Sequence, residues 1–297
     1  MGKNNIWSGC GTALITPFDD EGNVDYEVYE SLLRRQVEAD VDFLVPLGTT
    51  AETPNLSDEE KINLLKITKA NCGGKPVLCG AGSNSTAGTI RNIRMLAPYG
   101  ADAFLVVVPY YNKPTQQGMY EHFKAILEAT GKPLVIYNVP GRTGANMTAE
   151  TVLRLAQLPG IVAVKEASGN YAQISSVIKD APQGFSVLSG NDDETLSLMA
   201  TGADGVISVA SNIVPGLMTQ LTRALAYDDM TAARRIHYRL MPLFKNCFVE
   251  SNPIPVKAGM SLLGLVRNNL RLPLTSATEN TLDIMRQTLK DLGIWNN

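Results

Sequence analysis

Short apolar runs alternate with longer amphipathic stretches through roughly the first three quarters of the chain. Eight runs stand out: Gly11–Thr16, Phe43–Leu47, Pro76–Gly80, Ala103–Val108, Leu134–Tyr137, Ile161–Lys165, Phe185–Ser189 and Gly205–Ser208. They are short, continuous and rich in Val, Ile and Leu, which predicts parallel strands buried on both faces. The intervening segments carry helix signals. Ser57-x-x-Glu60 forms a capping box ahead of Ile62, Leu64 and Leu65. Thr148 is placed to cap Ala149–Leu158, and Pro215 occupies a first-turn position where a missing N–H costs nothing. Eight alternating βα units predict an α/β chain folded as a (β/α)8 TIM barrel rather than an open doubly wound sheet. The open sheet would want G-x-G-x-x-G after an early strand, and Gly80-Ala-Gly82 is only a fragment of that pattern.

Beyond Asp229 the pattern changes, with no further strand-like run. Thr231–Phe244 reads as one helix. Asn252-Pro253 reads as an N-cap followed by Pro at the first helical position of a second. Ser276-x-x-Glu279 reads as the capping box of a third, Asn280–Leu292. The predicted organisation is a barrel carrying the active site over residues 1–228, and a C-terminal three-helix appendage over 229–297. No low-complexity linker separates them, so the appendage should pack on the barrel.

Composition narrows the classes of function. The chain has 297 residues, is 44% hydrophobic, and carries a formal net charge of -3 with no long basic run, which argues against a nucleic-acid binder. No apolar run approaches a membrane span. Met1–Ile6 lacks the apolar core of a signal peptide, and Ile6 stands where a myristoylation site wants Ser or Thr. The four cysteines are scattered and form no CxxC pair, which suits a reducing, cytoplasmic setting. The two histidines, His122 and His237, are far apart, so a His-based triad or His-rich zinc site is not predicted. Acid–base chemistry would fall to Tyr, Thr, Lys or carboxylates.

Barrel active sites form at the C-terminal ends of the strands. The sixth run ends on Lys165. A lysine is rarely buried without a partner, because burial disfavours the ammonium, and a neutral lysine amine is the nucleophile of Schiff-base chemistry. The alternative is that Lys165 snorkels outward and pairs with a carboxylate such as Glu166. Thr49 and Thr50 after the second run either turn the chain or hold a carboxylate through their hydroxyls. Tyr110 and Tyr111 after the fourth are packing aromatics or site phenols. Tyr137 ends the fifth run with an O–H that needs a partner when buried. Arg142 in Pro-Gly-Arg-Thr-Gly is either solvated or a fork for a substrate carboxylate. Asp192-Asp193 alone would make a poor metal site and more plainly caps the next helix.

Taken together and in order, GTTAET, PYYNKPTQQG, YNVPGRTG, VKEASGN, LSGNDD, GVISV and NPIPVK resemble the dihydrodipicolinate synthase group of the class I aldolase family that includes N-acetylneuraminate lyase. The likeness runs from Gly9 to about Leu292. It implies that Lys165 forms a Schiff base with pyruvate and that Tyr137 is the proton donor beside it. Thr49 and Tyr111 would complete a proton relay, Tyr111 reaching in from a neighbouring subunit. Thr50 would bind the pyruvate carboxylate, the Ile207 backbone would touch pyruvate, and Gly190 would lie in the pocket. Arg142 would hold the carboxylate of L-aspartate 4-semialdehyde. The implied product is 4-hydroxy-tetrahydrodipicolinate, the first committed intermediate towards diaminopimelate and lysine. No metal or organic cofactor is implied, pyruvate being a covalently bound substrate. The implied assembly is a homotetramer, a dimer of dimers.

A sugar-acid aldolase of the N-acetylneuraminate lyase type would share Lys165 and Tyr137, but Arg142 and Tyr111 suit a small carboxylated aldehyde better than a long polyol. A non-catalytic ligand-binding barrel would be expected to lose the lysine or the hydroxyls, and all are present. Two departures from the family pattern carry consequences. Ala51 stands where Gly or Ser is commoner. Lys61 and Gly88 stand where lysine-inhibited members have a histidine and a glutamate, although Asn84 and Tyr110 match that site. A cationic Lys61 would repel lysine and Gly88 could not bind its ammonium, which implies weak or absent lysine feedback.

Overall fold

Each of the eight apolar runs becomes a strand in the computed structural model, which describes residues 6–295. The reading of Met1–Asn5, and the outer ends of both predicted regions, lie outside the described residues. The strands are β1 (Gly9–Ala13), β2 (Phe43–Val45), β3 (Leu78–Gly80), β4 (Ala103–Val107), β5 (Leu134–Asn138), β6 (Ile161–Glu166), β7 (Ser186–Ser189) and β8 (Gly205–Ser208). They pair in parallel in the order β2-β1-β8-β7-β6-β5-β4-β3. A parallel bridge between Leu44 and Val77, with Gly80 N–H donating to Pro46 O at 2.9 Å, joins β3 back to β2 and closes the barrel. β2 stops at Val45 rather than running to Leu47, because Pro46 has no N–H to give a neighbour. β1 starts and stops earlier than its apolar run. Leu14 N–H still donates to Val45 O (3.1 Å), but Ile15 N–H goes to the Asn212 side chain (3.3 Å) and the run leaves the sheet.

The helices between strands are α1 (Tyr26–Glu38), α2 (Asp58–Asn71), α3 (Thr86–Leu96), α4 (Gln116–Thr130), the single turn α5 (Pro140–Thr143), α6 (Ala149–Ala156), α7 (Tyr171–Asp180), α8 (Thr195–Thr201) and α9 (Pro215–Ala226). Their apolar faces cover the outside of the barrel, Leu33, Leu65, Ile93, Phe123 and Val177 among the buried contacts. Inside, Phe43, Val45, Leu105, Val135, Leu188 and Ile207 fill the lumen. Gly11 is required there: a Cβ on it would lie 2.1 Å from the Phe43 ring, against whose edge Trp7 packs. The packed interior leaves the C-terminal rim as the place for an opening.

Three helices follow among the described residues: α10 (Met230–Asn246), α11 (Ile254–Leu262) and α12 (Glu279–Asp291). Leu240, Leu243, Val256, Met260, Met285 and Leu289 share one apolar cluster with Cys10, Val206 and Leu221 of the barrel. Ser57 and Glu60 form the expected capping box, and Thr148 caps α6. Three expectations fail. Thr278, not Ser276, caps α12, accepting from Thr281 N–H, while Ser276 donates to Asn268 O. Asn252 does not cap α11, where Pro253 holds the N-cap position, because the Asn252 amide is drawn to Thr50 instead. Asp192 caps no helix: it is buried, and its Oδ2 accepts from Val209 N–H (3.0 Å) and Ala210 N–H (2.9 Å), tying β7 to the end of β8. Among the described residues no helix is long and apolar enough to cross a membrane.

Candidate active site

Register places the two central groups side by side. Tyr137 on β5 pairs with Lys165 on β6, and alternation along each strand turns both towards the lumen. Lys165 is 6% exposed and its Nζ lies 4.3 Å from the centre of the Tyr137 ring. Among the described residues that Nζ has no carboxylate partner and no hydrogen bond. The same alternation sends Glu166 to the opposite face. There it accepts from Asn138 Nδ2 (2.5 Å), Ser168 Oγ (2.6 Å) and Gln173 Nε2 (3.4 Å), and burial pushes its carboxyl up against the pull of those donors. Glu166 is therefore spent elsewhere, and the pairing of Lys165 with it is absent. β6 also extends one residue past Lys165 to include Glu166.

Lys165 sits against a backbone that leaves it little room. A Cβ on Gly190 would come within 2.7 Å of Ala167 Cβ, 3.0 Å of Glu166 O and 3.1 Å of Lys165 Cε. Gly190 N–H donates to Glu166 O at 2.6 Å, so the chain after β7 lies directly on the chain after β6. Ile207 is buried in β8 within the same lumen.

The threonines occupy a short 3-10 turn, Thr49–Ala51, after β2. Thr49 is exposed and lines a cavity of about 340 Å³ whose wall also includes Tyr110, Tyr137, Val139 and Arg142. Thr50 is buried, and its Oγ1 accepts from Asn252 Nδ2 at 2.9 Å, leaving its own proton to donate. Ala51 is accommodated in the turn, 2% exposed, its carbonyl accepting from Thr16 Oγ1 (2.8 Å). Arg142, on α5, is exposed at the cavity mouth, its Nη2 3.5 Å from Asn252 O. Tyr111 is not brought to this cavity. It is 88% exposed, with a φ of 76°, on the loop after β4.

The same cavity reaches Lys61 and Ser83 on the side of α2 and α3. Lys61 is loosely paired with Asp58 (3.5 Å). Gly88 is closely covered: a Cβ there would lie 2.8 Å from Ser83 Oγ.

Three residues carry no site role in the sequence reading although two of the quoted motifs contain them. Asn252 and Lys257 lie in NPIPVK and Glu52 in GTTAET. Lys257 and Glu52 form an ion pair of 2.7 Å with both side chains fully excluded from solvent. Burial pushes the Lys257 ammonium down to about 8, opposed by Glu52. The available signal was a lysine inside the apolar stretch Ile254–Met260, since such a lysine demands a partner.

A model of the dihydrodipicolinate synthetase family matches residues 7–292. The chain is similar to the 4-hydroxy-tetrahydrodipicolinate synthase of Thermotoga neapolitana, 46% identical over 294 residues that cover 97% of this chain and 100% of that protein. Among solved structures it is similar to the dihydrodipicolinate synthase of Thermotoga maritima, with a TM-score of 0.95, 44% identity, and coverage of 98% of this chain and 100% of that one. It is also similar to the chloride-inhibited dihydrodipicolinate synthase of Acinetobacter baumannii complexed with pyruvate, with a TM-score of 0.94, 39% identity, and coverage of 97% and 99%.

Proposed function

The chain belongs to the dihydrodipicolinate synthetase family, and from that premise we propose that it condenses pyruvate with L-aspartate 4-semialdehyde as a 4-hydroxy-tetrahydrodipicolinate synthase. The observation that carries the reading is the buried, carboxylate-free Lys165 beside Tyr137. The Lys165 amine adds to the ketone of pyruvate and water leaves, giving an iminium. The iminium is an electron sink, so a methyl proton departs and an enamine forms. The enamine carbon bonds to the aldehyde carbon of the second substrate. That substrate's amine then displaces Lys165 at the former ketone carbon, closing the six-membered ring and freeing the enzyme. The iminium does the work of an electron-withdrawing cofactor, so the route calls on none.

Tyr137 is the proton donor, and it lines the cavity. Phenol and alcohol groups move protons without leaving a fixed charge beside the iminium. Thr50 binds the pyruvate carboxylate through the proton that Asn252 leaves free. Gly190, packed against Lys165, and the Ile207 backbone in the lumen would flank the bound pyruvate. Arg142 at the mouth takes the carboxylate of the second substrate, as a planar fork suits. Thr49 joins the relay, and Tyr111 joins it from a neighbouring subunit, since in its own chain it points to solvent. The assembly is accordingly a homotetramer built from dimers that share Tyr111. The barrel over 1–228 supplies the reacting groups, and the region 229–297 braces their rim through Asn252. The four free, buried cysteines fit a cytoplasmic enzyme.

The test is aldehyde consumption with and without pyruvate. Rapid loss only with pyruvate is the expected result, together with a reduced pyruvate adduct on Lys165 after borohydride treatment. Lys165→Ala should abolish both while the fold persists. No aldehyde loss, with pyruvate-releasing cleavage of sugar acids instead, would replace this reading with a sugar-acid aldolase.

A further inference from the structure

Glu52 ends the Thr49–Ala51 turn in the left-handed conformation, φ 55°. A residue with a Cβ holds that conformation only when its surroundings impose it. Here both carboxylate oxygens are held. Lys257 Nζ on α11 donates to Oε1 at 2.7 Å, and Arg271 N–H donates to Oε2 at 3.1 Å. Lys257 Nζ also lies 4.3 Å from the centre of the Phe18 ring, and the Arg271 guanidinium 4.6 Å from it. Arg271 is itself fixed by two hydrogen bonds to Glu60, of 2.8 and 2.6 Å. Both donors to Glu52 come from the region beyond the barrel.

A fully buried ion pair is a poor way to stabilise a fold, because apolar residues of similar volume usually serve as well or better. Its distinguishing property is direction: a carboxylate held by two donors fixes the backbone that bears it. That backbone ends the turn two residues after Thr50, whose hydroxyl is held by Asn252 just ahead of α11.

We propose that Lys257 is a positioning residue that acts through Glu52 to hold Thr50 in the geometry that binds the pyruvate carboxylate. This rests on the reading of Thr50 as the group that binds that carboxylate.

The test compares Lys257→Met, the doubly neutral Glu52→Gln/Lys257→Met, and Thr50→Val, each by steady-state kinetics and thermal denaturation. Lys257→Met leaves a buried carboxylate unpaired and should lower the melting temperature. The double variant removes that charge and should recover much of the loss. In both, the pyruvate KM should rise about tenfold, the scale of losing one well-placed hydrogen bond to a charged group. The aldehyde KM and kcat at saturating pyruvate should stay within about threefold. A double variant that recovers wild-type pyruvate KM along with stability would reduce the pair to a structural one and overturn the proposal. Failure of both Lys257 variants to fold would overturn it equally, since the pair would then determine the fold. Thr50→Val separates the two readings. If it leaves the pyruvate KM unchanged, the carboxylate assignment itself has failed, and the positioning role falls with it. If it raises that KM while the folded Lys257 variants do not, only the positioning role falls.

Discussion

Two buried lysines show how one residue type takes opposite tasks. Lys257 is enclosed with Glu52 as partner, and Lys165 is enclosed with no carboxylate partner among the described residues. The difference lies in what surrounds each amine, and for Lys165 it depends on Gly190. An alanine there would press its methyl towards Lys165 Cε at 3.1 Å and the Glu166 carbonyl at 3.0 Å. Gly190→Ala should therefore cut kcat/KM by about 100-fold, the scale of an ångström-sized misplacement of a reacting group. Circular dichroism should remain close to wild type, and unchanged turnover would show that Lys165 has slack. The lysine at a strand end was legible in the sequence. Gly190 entered the pocket through the family resemblance alone; that its missing Cβ makes room for Lys165 was not legible, because close approach between two loops is a property of distance in space.

Helix caps show where local reading succeeds and where it fails. Ser57 and Glu60 meet as their spacing requires, because both partners lie within one turn. Ser276 and Glu279 have the same spacing, yet the N-cap lies two residues later, at Thr278, whose side chain accepts from the Thr281 N–H. Thr278→Ala should cost about 1 kcal/mol of unfolding free energy and Ser276→Ala under about 0.5 kcal/mol, read by urea denaturation. Equal costs would return the cap to Ser276. Between α2 and α3 the departures from the lysine-inhibited pattern have structural weight. Lys61 brings positive charge to the cavity wall, and a side chain at Gly88 would press on the Ser83 hydroxyl, while glycine itself offers no carboxylate there. Added L-lysine should leave the rate of aldehyde consumption unchanged at low-millimolar concentration. Half-inhibition in that range would show that the site works without the histidine and glutamate.

Over the whole molecule, acid stability is set in part by His122. Its Nδ1 is bonded to Thr86 Oγ1, its Nε2 is buried with no partner among the described residues, and burial lowers the imidazole from 6.5 to about 4. The unfolded chain therefore binds a proton that the folded chain refuses between those two values. Stability from this residue is complete above pH 6.5 and is lost as pH falls towards 4, by up to about 3 kcal/mol. The urea midpoint of the wild type should fall across that window, and His122→Gln should flatten the fall. An equal slope in both would place the acid sensitivity elsewhere. Assembly is the second whole-molecule property. Tyr111, 88% exposed in the isolated chain, should become protected in the oligomer. Sedimentation should give a tetramer, and Tyr111→Phe should lower turnover while leaving the assembly intact.

The eight strands, their parallel order around a barrel and the lysine on the sixth were readable from the chain, because each depends on apolar patterning within a few residues or on the regular βα alternation. The likeness of the rim motifs to a family of aldolases was readable too, since it needs only residue types in order. What needed the folded molecule were the contacts between segments distant in sequence. Asn252 left its expected cap for Thr50, 202 residues away, and Lys257 found Glu52 across 205 residues. A buried polar group takes whichever partner the fold brings within reach, because leaving it unpaired costs more than abandoning a local bond. The sequence displays that need, and the packing of α11 against the barrel rim determines how it is met.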